Sequence, residues 1–258
     1  MRLRSYSFRA IIFSTCLLSN IMVEGIACKR VDEMAEQRTA EPNATNALQR
    51  ATEAMDKLDF KKARTVVFSI LAEDLNEKTR FGIINSFAQK FKLQALEEIR
   101  KEVILVGLRP ESFSELEKKS PRRFGYMKTL AYGLALFGEK GFETAVDLIK
   151  SASRTRMPFF LGDQQSLLYG ITTMAVYMLL NNNLIDKEKA LQTLSQHIKD
   201  TGINLSERGI FIRWAIRIKP VAVCDLSKAM ADDARTTELI NLHLSNELKG
   251  KVPCAVSR

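Results

Sequence analysis

Two histidines are the residues best suited to acid–base or metal chemistry in this sequence of 258 residues, which contains only His197 and His243. His197 lies in the stretch SQHIKD without a second ligand at a metal-binding spacing, whereas His243 is followed one helical turn later by Glu247. A zinc site needs three or four ligands, and one histidine with one glutamate supplies two. We therefore interpret both histidines as surface or internally hydrogen-bonded residues and predict no metal site.

The short motifs of common enzyme classes do not occur in the sequence. It contains no GxSxG nucleophile elbow, no phosphate-binding P-loop and no GxGxxG dinucleotide motif. Adjacent carboxylates such as Glu97 and Glu98 point in different directions on a helix, so they do not form an acid–base pair. These observations predict a noncatalytic protein without a cofactor. An enzyme of an unrecognised type is the less favoured alternative.

The first 27 residues have the layout of an export signal. Three arginines and no acid precede the apolar run AIIFSTCLL, and Gly25 and Ala27 place small residues just before Cys28. A positive start, a short apolar centre and a small-residue cleavage site are typical of a signal peptide. The centre is too short to span a bilayer comfortably. We predict that residues 1–27 form a cleaved signal peptide and that the protein is exported.

Cys28 would be the first residue of the mature chain. The stretch GIAC, residues 25–28, resembles the bacterial lipoprotein box, although Gly25 stands where that box usually has an aliphatic residue. The resemblance implies a lipid on Cys28, membrane contact through that lipid, and a location in the periplasm or on the outer membrane. Cleavage of the same bond by an ordinary signal peptidase is the alternative, because Gly25 and Ala27 suit that enzyme as well.

Cys224 and Cys254 are the two cysteines that remain if Cys16 leaves with the signal and Cys28 begins the mature chain. A pair of cysteines in an exported protein is a disulfide candidate. The bond would join the C-terminal tail to the body through a loop of about 30 residues and contribute roughly 3 kcal/mol. Two unrelated thiols are the alternative.

The charge of the chain is moderately basic. Loss of residues 1–27 removes three arginines and one glutamate from 39 basic and 30 acidic residues, which leaves a net charge of +7. Basic and acidic residues alternate through most of the chain, as on solvated helix faces, and no aromatic-rich basic motif is present. We predict no nucleic-acid partner. A basic face on an exported protein is better suited to an anionic membrane surface or an acidic partner.

Helical periodicity dominates the mature chain. Residues 28–45 lack apolar periodicity and contain Pro42, which favours a polar tether. From residue 46 to 258, apolar residues recur at steps of three and four, and no stretch alternates like a strand. Ser120 before Pro121 and Asp186 before KEKALQ are typical helix starts. The last long helical segment is predicted from residue 225 to 248. The sequence predicts an all-α fold of antiparallel helical hairpins.

Residues 130–153 have the spacing of one helical hairpin of a repeat. Tyr132 and Gly133 form a large–small pair in its first helix, Phe142 marks the turn, and Ala145 is the small residue where the second helix crosses the first. This stretch resembles a tetratricopeptide unit, with Pro158 one residue beyond the usual proline. Helices that cross at about 8 to 10 Å need glycine or alanine where they meet.

Two further stretches repeat parts of this pattern. Near the start of the domain the same offsets hold Ala51, Ala54, Phe60, Ala63 and Val67. The stretch LLYGITTM repeats the Tyr–Gly pair 37 residues after the first one, close to the 34 residues of the family. The resemblance covers about a third of the chain. It implies stacked hairpins that form a right-handed superhelix, and an irregular α bundle is the alternative.

Tetratricopeptide proteins recognise partners mainly through the first helices of their hairpins, so the resemblance implies a scaffold or adaptor that binds a protein or peptide. On that basis the candidate partner-binding residues are exposed polar positions of first helices: Arg50, Lys128, Gln164 and Gln165. Ordinary solvated side chains are the alternative for each of the four.

The uncharged run of residues 164–180 is open to three interpretations. We favour a central buried helix, because the run is marginal in length for a membrane span and contains hydroxyl and amide side chains. A wall of an apolar-ligand pocket is the second interpretation and a membrane span the third. The alternative function is therefore a periplasmic carrier of a small apolar or anionic ligand, held in a cavity beneath residues 167–180. The nearby stretch RWAIRIK is a candidate for docking an acidic partner or, more simply, the edge of an ordinary helix.

Overall fold

The computed structural model describes residues 30–107, 109, 113–154, 167–230 and 232–248, with side chains from residue 44 onward except 113–115 and 153–154. Regular structure in these ranges is entirely helical, which confirms the all-α prediction. The twelve helices that they contain are α1 (Arg30–Lys57), α2 (Phe60–Leu71), α3 (Glu77–Phe91), α4 (Leu93–Gly107), α5 (Phe113–Lys119), α6 (Pro121–Ala135), α7 (Glu139–Arg154), α8 (Leu167–Asn181), α9 (Lys187–Lys199), α10 (Leu205–Ile218), α11 (Pro220–Ala229) and α12 (Ala234–Glu247).

Short polar residues start five of the twelve described helices, because their side chains accept hydrogen bonds from backbone N–H groups that the first turn leaves unpaired. Asp186 accepts from the N–H groups of Glu188 and Lys189, so its predicted role as the cap of α9 is confirmed. Pro121 is the first residue of α6, as predicted, but Ser120 before it makes no capping hydrogen bond through its side chain. The residues with a capping side chain are Asp59, Asn76, Asp186, Asn204 and Asp233.

Two helix boundaries differ from the sequence prediction. The backbone of residues 30–45, predicted as a polar tether, is already helical as the first part of α1. The segment from 225 to 248, predicted as one helix, is two, because α11 ends at Ala229 and α12 begins at Ala234. Asp233 accepts hydrogen bonds from the N–H and the hydroxyl of Thr236, which starts a new helix at that point.

The helices pack as a row of hairpins, and the two helices of each hairpin except α8 and α9 are among the principal helix contacts. The first helices of the hairpins contact one another in succession, α1 with α3, α3 with α6, α6 with α8, α8 with α10, and α10 with α12. The second helices are α2, α4, α7, α9 and α11, and each contacts the first helix that follows it. The short helix α5 packs on α6. Contacts of this kind between neighbours along the chain are compatible with a helical-repeat arrangement.

Small residues lie where helices come closest. Ala51, Ala63 and Ala145 are completely buried, and Gly133 is buried as well. A Cβ atom on Gly133 would lie 3.1 Å from both Ile84 Cγ1 of α3 and Ile99 Cδ1 of α4. The sequence placed this close approach inside the α6–α7 hairpin, whereas Gly133 contacts the preceding hairpin instead.

Gly141 makes the close contact within the α6–α7 hairpin. A Cβ atom at this position would overlap the backbone carbonyl oxygen of Leu134 near the end of α6. The turn before it uses Gly138, whose φ of 54° is a left-handed conformation that glycine adopts without strain. The two glycines together allow α7 to fold back directly onto α6.

Two arginines from later helices satisfy the carbonyl groups at the end of α2. Arg80 of α3 is only 4% exposed, and it donates from Nε to the Leu71 carbonyl at 3.2 Å and from Nη2 to the Glu73 carbonyl at 2.7 Å. Arg122 of α6 donates from Nε to the Ala72 carbonyl at 2.7 Å. The last carbonyls of a helix have no partner within it, so these contacts fix α2 to two later first helices.

Helix α8 lies at the centre of the stack. It contacts α4, α6, α7 and α10, and ten of its fifteen residues are buried. The interpretation of this run as a buried helix is confirmed for residues 167–180, and residues 164–166 lie outside the described ranges. Among the helices that the structure describes, none is long and apolar enough to cross a membrane.

The glycine contacts give a stability prediction. Replacing Gly141 by Ala forces a methyl group against a backbone carbonyl, and we expect a loss of about 1 to 3 kcal/mol in the free energy of unfolding. Gly82→Ala is the matched control, since its Cβ would have only Leu48 Cδ1 nearby, at 4.0 Å. We expect it to raise stability by about 0.4 to 1 kcal/mol through helix propensity. Urea unfolding followed by circular dichroism measures both changes, and equal effects of the two substitutions would contradict the close contact.

Candidate functional site

The predicted partner-binding residues that the structure describes are engaged with neighbouring helices. Arg50 Nη2 lies 2.6 Å from Glu73 Oε2. Lys128 Nζ lies 2.9 Å from Glu77 Oε2 and 5.5 Å from the centroid of the Phe124 ring. These exposed ion pairs contribute little to stability and do not converge on one site, so a role for Arg50 and Lys128 in partner binding stays a prediction. Gln164 and Gln165 lie outside the described residues.

A cleft opens between three consecutive first helices, α8, α10 and α12. It encloses a cavity of about 210 Å³. The sequence places a cavity beneath residues 167–180, and two residues of that run contribute to this one. The lining residues are Tyr169 and Thr173 from α8, Leu205, Ser206, Gly209, Ile210 and Arg213 from α10, and Leu239 and His243 from α12.

Residues spaced four apart line the cleft on each helix, because one turn of an α-helix brings every fourth residue to the same side. On α10 the positions are Gly209 and Arg213, and Arg217 follows one turn later. The Arg217 guanidinium lies 5.6 Å from the centroid of the Tyr177 ring of α8, which continues the line of Tyr169 and Thr173. We call this line of facing residues, from Tyr169 to Tyr177 on α8 and from Gly209 to Arg217 on α10, the groove.

His243 orients Arg213. The Arg213 Nε group donates to His243 Nδ1 at 3.3 Å. Burial, together with the nearby Arg213 charge, lowers the pKa of His243 from 6.5 to about 4, so the ring is neutral at pH 7. Because Nδ1 accepts a hydrogen bond, we assign the single ring proton to Nε2. His243 is thus an internally hydrogen-bonded residue rather than a free base, and neither of its nitrogens has a lone pair available for proton transfer.

Gly209 provides room for the imidazole ring. A Cβ atom at this position would lie 2.9 Å from His243 Nε2, closer than ordinary packing allows. The glycine therefore lets α12 approach α10 with the ring between them. The sequence shows Gly209 only as a glycine inside a helical run, and nothing in its neighbourhood connects it with a histidine 34 positions later.

Arg213 and Arg217 form no salt bridge with a carboxylate of the described chain. Arg208, on the buried side of the same helix, does form a salt bridge. Arg208 Nη1 lies 3.0 Å from Asp233 Oδ2 and also donates to the Thr236 hydroxyl, and its Nε donates to the Ile203 carbonyl at 3.0 Å. Arg213 and Arg217 thus have no carboxylate within salt-bridge distance among the described residues, whereas Arg208 does.

Two side-chain hydrogen bonds fix α8 against α10 beside the cavity. The Tyr169 hydroxyl donates to Glu207 Oε1 at 2.6 Å, and burial together with the Glu207 carboxylate raises the pKa of Tyr169 well above 10. The indole Nε1–H of Trp214 donates to the Thr173 hydroxyl at 3.2 Å. Tyr169 therefore stays protonated and its proton remains directed at Glu207, and the Thr173 hydroxyl keeps its own proton for another acceptor.

The cleft combines hydrogen-bond donors with apolar walls. Arg213 supplies a cation, His243 a neutral N–H, and Ser206 a hydroxyl. Leucine and isoleucine side chains complete the lining. This composition suits a ligand with a negatively charged group and an apolar body. Within the described residues, no three His, Cys, Asp or Glu side chains are grouped so that they could hold a metal ion.

Cys224 lies on α11 and is buried, whereas Cys254 and Cys28 lie outside the described residues. The predicted Cys224–Cys254 disulfide and the lipid on Cys28 therefore stay predictions. His197, the other histidine, is half-buried between α9 and α10, where its ring centroid lies 5.5 Å from that of Phe211. It is not part of the cleft.

No family model matches the chain, and neither the curated proteins nor the solved structures give a match.

The depressed pKa of His243 gives a pH-dependent stability. The unfolded chain binds a proton at His243 below about pH 6.5, whereas the folded protein does so only near pH 4. Stability is therefore complete above pH 6.5 and falls as the pH drops toward 4. Between pH 7.5 and 5.0 we expect a loss of about 1 kcal/mol, which allows for partial solvent screening of this group.

Urea unfolding at the two pH values measures this loss, and the variant His243→Gln should lose less than half as much. Burial and the Lys150 charge also lower the pKa of His197, so His197→Gln is needed to separate the two histidines. An unchanged pH dependence in His243→Gln would show that His243 is not held neutral by its surroundings.

Proposed function

We propose that this chain is a noncatalytic scaffold or adaptor that binds an extended segment of a protein partner along the groove between α8, α10 and α12. The observation that carries the proposal is the cleft between three successive first helices, with a donor-rich lining and two arginines that form no salt bridge within the described ranges. Stacks of helical hairpins commonly recognise partners on this surface.

The solvent face of α8 supports a peptide as the ligand. Its half-exposed residues include Met174, Tyr177 and Met178, which follow one side of the helix next to the cleft. Methionine adapts its shape to different partners, and tyrosine offers a large contact area at little entropic cost. On α12, Leu242 is 55% exposed and lies one turn from Leu239 of the cleft. An extended peptide could bury these side chains along the groove.

We further propose that the stack is a degenerate tetratricopeptide-like array. The buried small residues at Ala51, Ala63, Gly133 and Ala145 support this assignment, as does the succession of contacts between first helices. We also retain the proposal that residues 1–27 are a cleaved signal, that Cys28 carries lipid, and that the protein works in the periplasm or on the outer membrane.

A carrier of a small apolar or anionic ligand is the second candidate function. The specific observation in its favour is the cavity itself, which has three aliphatic side chains in its lining and a volume of about 210 Å³. That volume is below the roughly 300 to 1,000 Å³ of drug-sized ligand pockets, so a partner's side chain or a short free ligand suits it better than a large molecule.

Peptide selection tests the recognition function. A random peptide library displayed on phage should yield peptides that bind the chain and slow hydrogen–deuterium exchange of α8, α10 and α12. Met174→Glu should weaken binding of a selected peptide at least about tenfold, because it places a charge in the groove. Gln192→Glu, which adds the same charge on exposed α9, should change the affinity by less than about twofold.

Protection confined to α1 and α6, where Arg50 and Lys128 lie, would instead favour the site that the sequence predicts. Equal losses from the α8 and α9 substitutions would remove the support for the α8–α10–α12 groove.

Intact-mass measurement of the protein purified from a bacterial envelope tests the predicted signal cleavage, the lipid on Cys28 and the disulfide together. We expect a chain that begins at Cys28 with the mass of a lipid added, and a deficit of two hydrogens that disappears on reduction. A Cys254→Ser variant is the control for the pair, since it should lose the reducible deficit. A chain that begins at Met1 would rule out cleavage, and a chain that starts at an unmodified Cys28 would rule out lipidation.

A further inference from the structure

We propose that the cleft binds a carboxylate carried on an apolar chain and that Arg213 is the residue that recognises it. The inference rests on the proposed recognition function, because it names the chemical group that a partner would present there.

Arg213 is held by one side of its guanidinium group. Its Nε–H donates to His243 Nδ1, and within the described chain its terminal nitrogens make no further hydrogen bond. A guanidinium presents its donors in a rigid plane that matches the two oxygens of a carboxylate. The histidine therefore sets the direction of the group and leaves the Nη donors for a ligand in the cavity.

The surrounding side chains favour an anion over a neutral ligand. Ser206 and Thr173 bring hydroxyl groups to the lining, and the Thr173 oxygen already accepts from Trp214. Arg217 lies one turn beyond Arg213 and adds positive potential along the groove. Two carboxylates lie near the cleft: Glu207, whose Oε1 accepts the Tyr169 proton at 2.6 Å, and Glu247 of α12, whose charge acts on Tyr177 together with those of Arg213 and Arg217. Neither forms a salt bridge with Arg213 within the described chain.

The apolar walls and the single lining cation favour a carboxylate over a phosphate. Leu205, Ile210 and Leu239 cover much of the lining, and Arg213 is the one charged side chain among the lining residues. A phosphate group near neutral pH carries up to two charges and is usually held by several cations or backbone N–H groups. A short aliphatic acid, a glutamate side chain or a peptide end matches one guanidinium beside leucine side chains.

Titration of the full mature chain with hexanoate tests the proposal, with hexanamide as the uncharged ligand of the same shape. Isothermal titration calorimetry at pH 7.5 and low salt should give saturable binding of hexanoate that is at least about tenfold tighter than that of hexanamide. Arg213→Gln should weaken hexanoate binding at least about tenfold and leave hexanamide binding nearly unchanged. Arg100→Gln, on the surface of α4, is the matched control and should change neither.

A second variant tests the cavity independently, in case Arg213→Gln does not fold. Ser206 is exposed at the start of α10, so Ser206→Phe should fill the cavity without disturbing the core and should abolish hexanoate binding while the thermal unfolding curve is retained. Equal affinity for the acid and the amide, or unchanged hexanoate binding in Arg213→Gln, would overturn the proposal.

The selected peptides separate this inference from the recognition function. Replacing the acidic residue of a binding peptide by its amide, or amidating its C-terminus, should reduce the affinity about tenfold in the wild-type chain and little in Arg213→Gln. If peptides bind the groove but neither the peptide's charge nor Arg213 matters, the carboxylate proposal fails and the recognition function stands. If hexanoate binds through Arg213 and no peptide does, the chain is a carrier of small acids and the recognition function fails.

Discussion

Close approach of helix backbones is the constraint on which the rest of this structure depends. Gly133 brings α6 against α3 and α4, and Gly141 brings α7 against α6. At the C-terminal end of α4, a Cβ atom on Gly107 would lie 2.8 Å from Leu168 Cβ, so α8 also relies on a glycine for its position. Wider spacing at these points would separate neighbouring hairpins and expose apolar side chains that are now completely buried.

Arginine side chains complete these contacts with hydrogen bonds between helices. Arg80 and Arg122 satisfy the last carbonyls of α2, and Arg208 joins the start of α10 to Asp233 and Thr236 of the last hairpin. Arg80 and Arg208 are buried and direct their donors at acceptors within the chain, as buried charges require, and the exposed Arg122 also bonds a backbone carbonyl. Arg213 is different, because it lines the cavity and only its Nε makes a hydrogen bond within the described chain. That difference distinguishes a guanidinium that holds the fold together from one that is available to a ligand.

The helices could be predicted from the sequence because their signals are local. The Asp186 side chain accepts hydrogen bonds from backbone N–H groups two and three residues later, which starts a helix. The uncharged apolar run at 167–180 predicts a buried helix whatever its neighbours are. The break between α11 and α12 was missed, because the pattern continues across it and only the side-chain bonds of Asp233 reveal the new start. The partner of Gly133 was assigned to the wrong hairpin, since spacing alone does not say which neighbouring helix a small residue meets.

The cleft could not be assembled from the sequence in the same way. Its lining comes from three helices. Its central pair, Arg213 and His243, is separated by 30 positions in the sequence, and no repeating pattern connects the two residues. The sequence did mark residues 167–180 as a possible cavity wall and RWAIRIK as a possible acidic-partner site. It could not show that these two segments face each other, because that depends on how α8, α10 and α12 stack. By contrast, Arg50 and Lys128 look available in the sequence, and acids on other segments engage both.

Helix α12 is the last helix of the row that the structure describes, so the cleft persists only while this one helix stays docked. Helix α12 supplies Leu239 and His243 and is attached through α10 and α11 alone among the principal helix contacts. In a stack held by nearest neighbours, a terminal unit can detach while the units before it stay folded. Detachment would remove one wall of the cavity and release Arg213 from its histidine. Proteolytic removal of α12 would therefore destroy the cleft while the preceding helices stay folded.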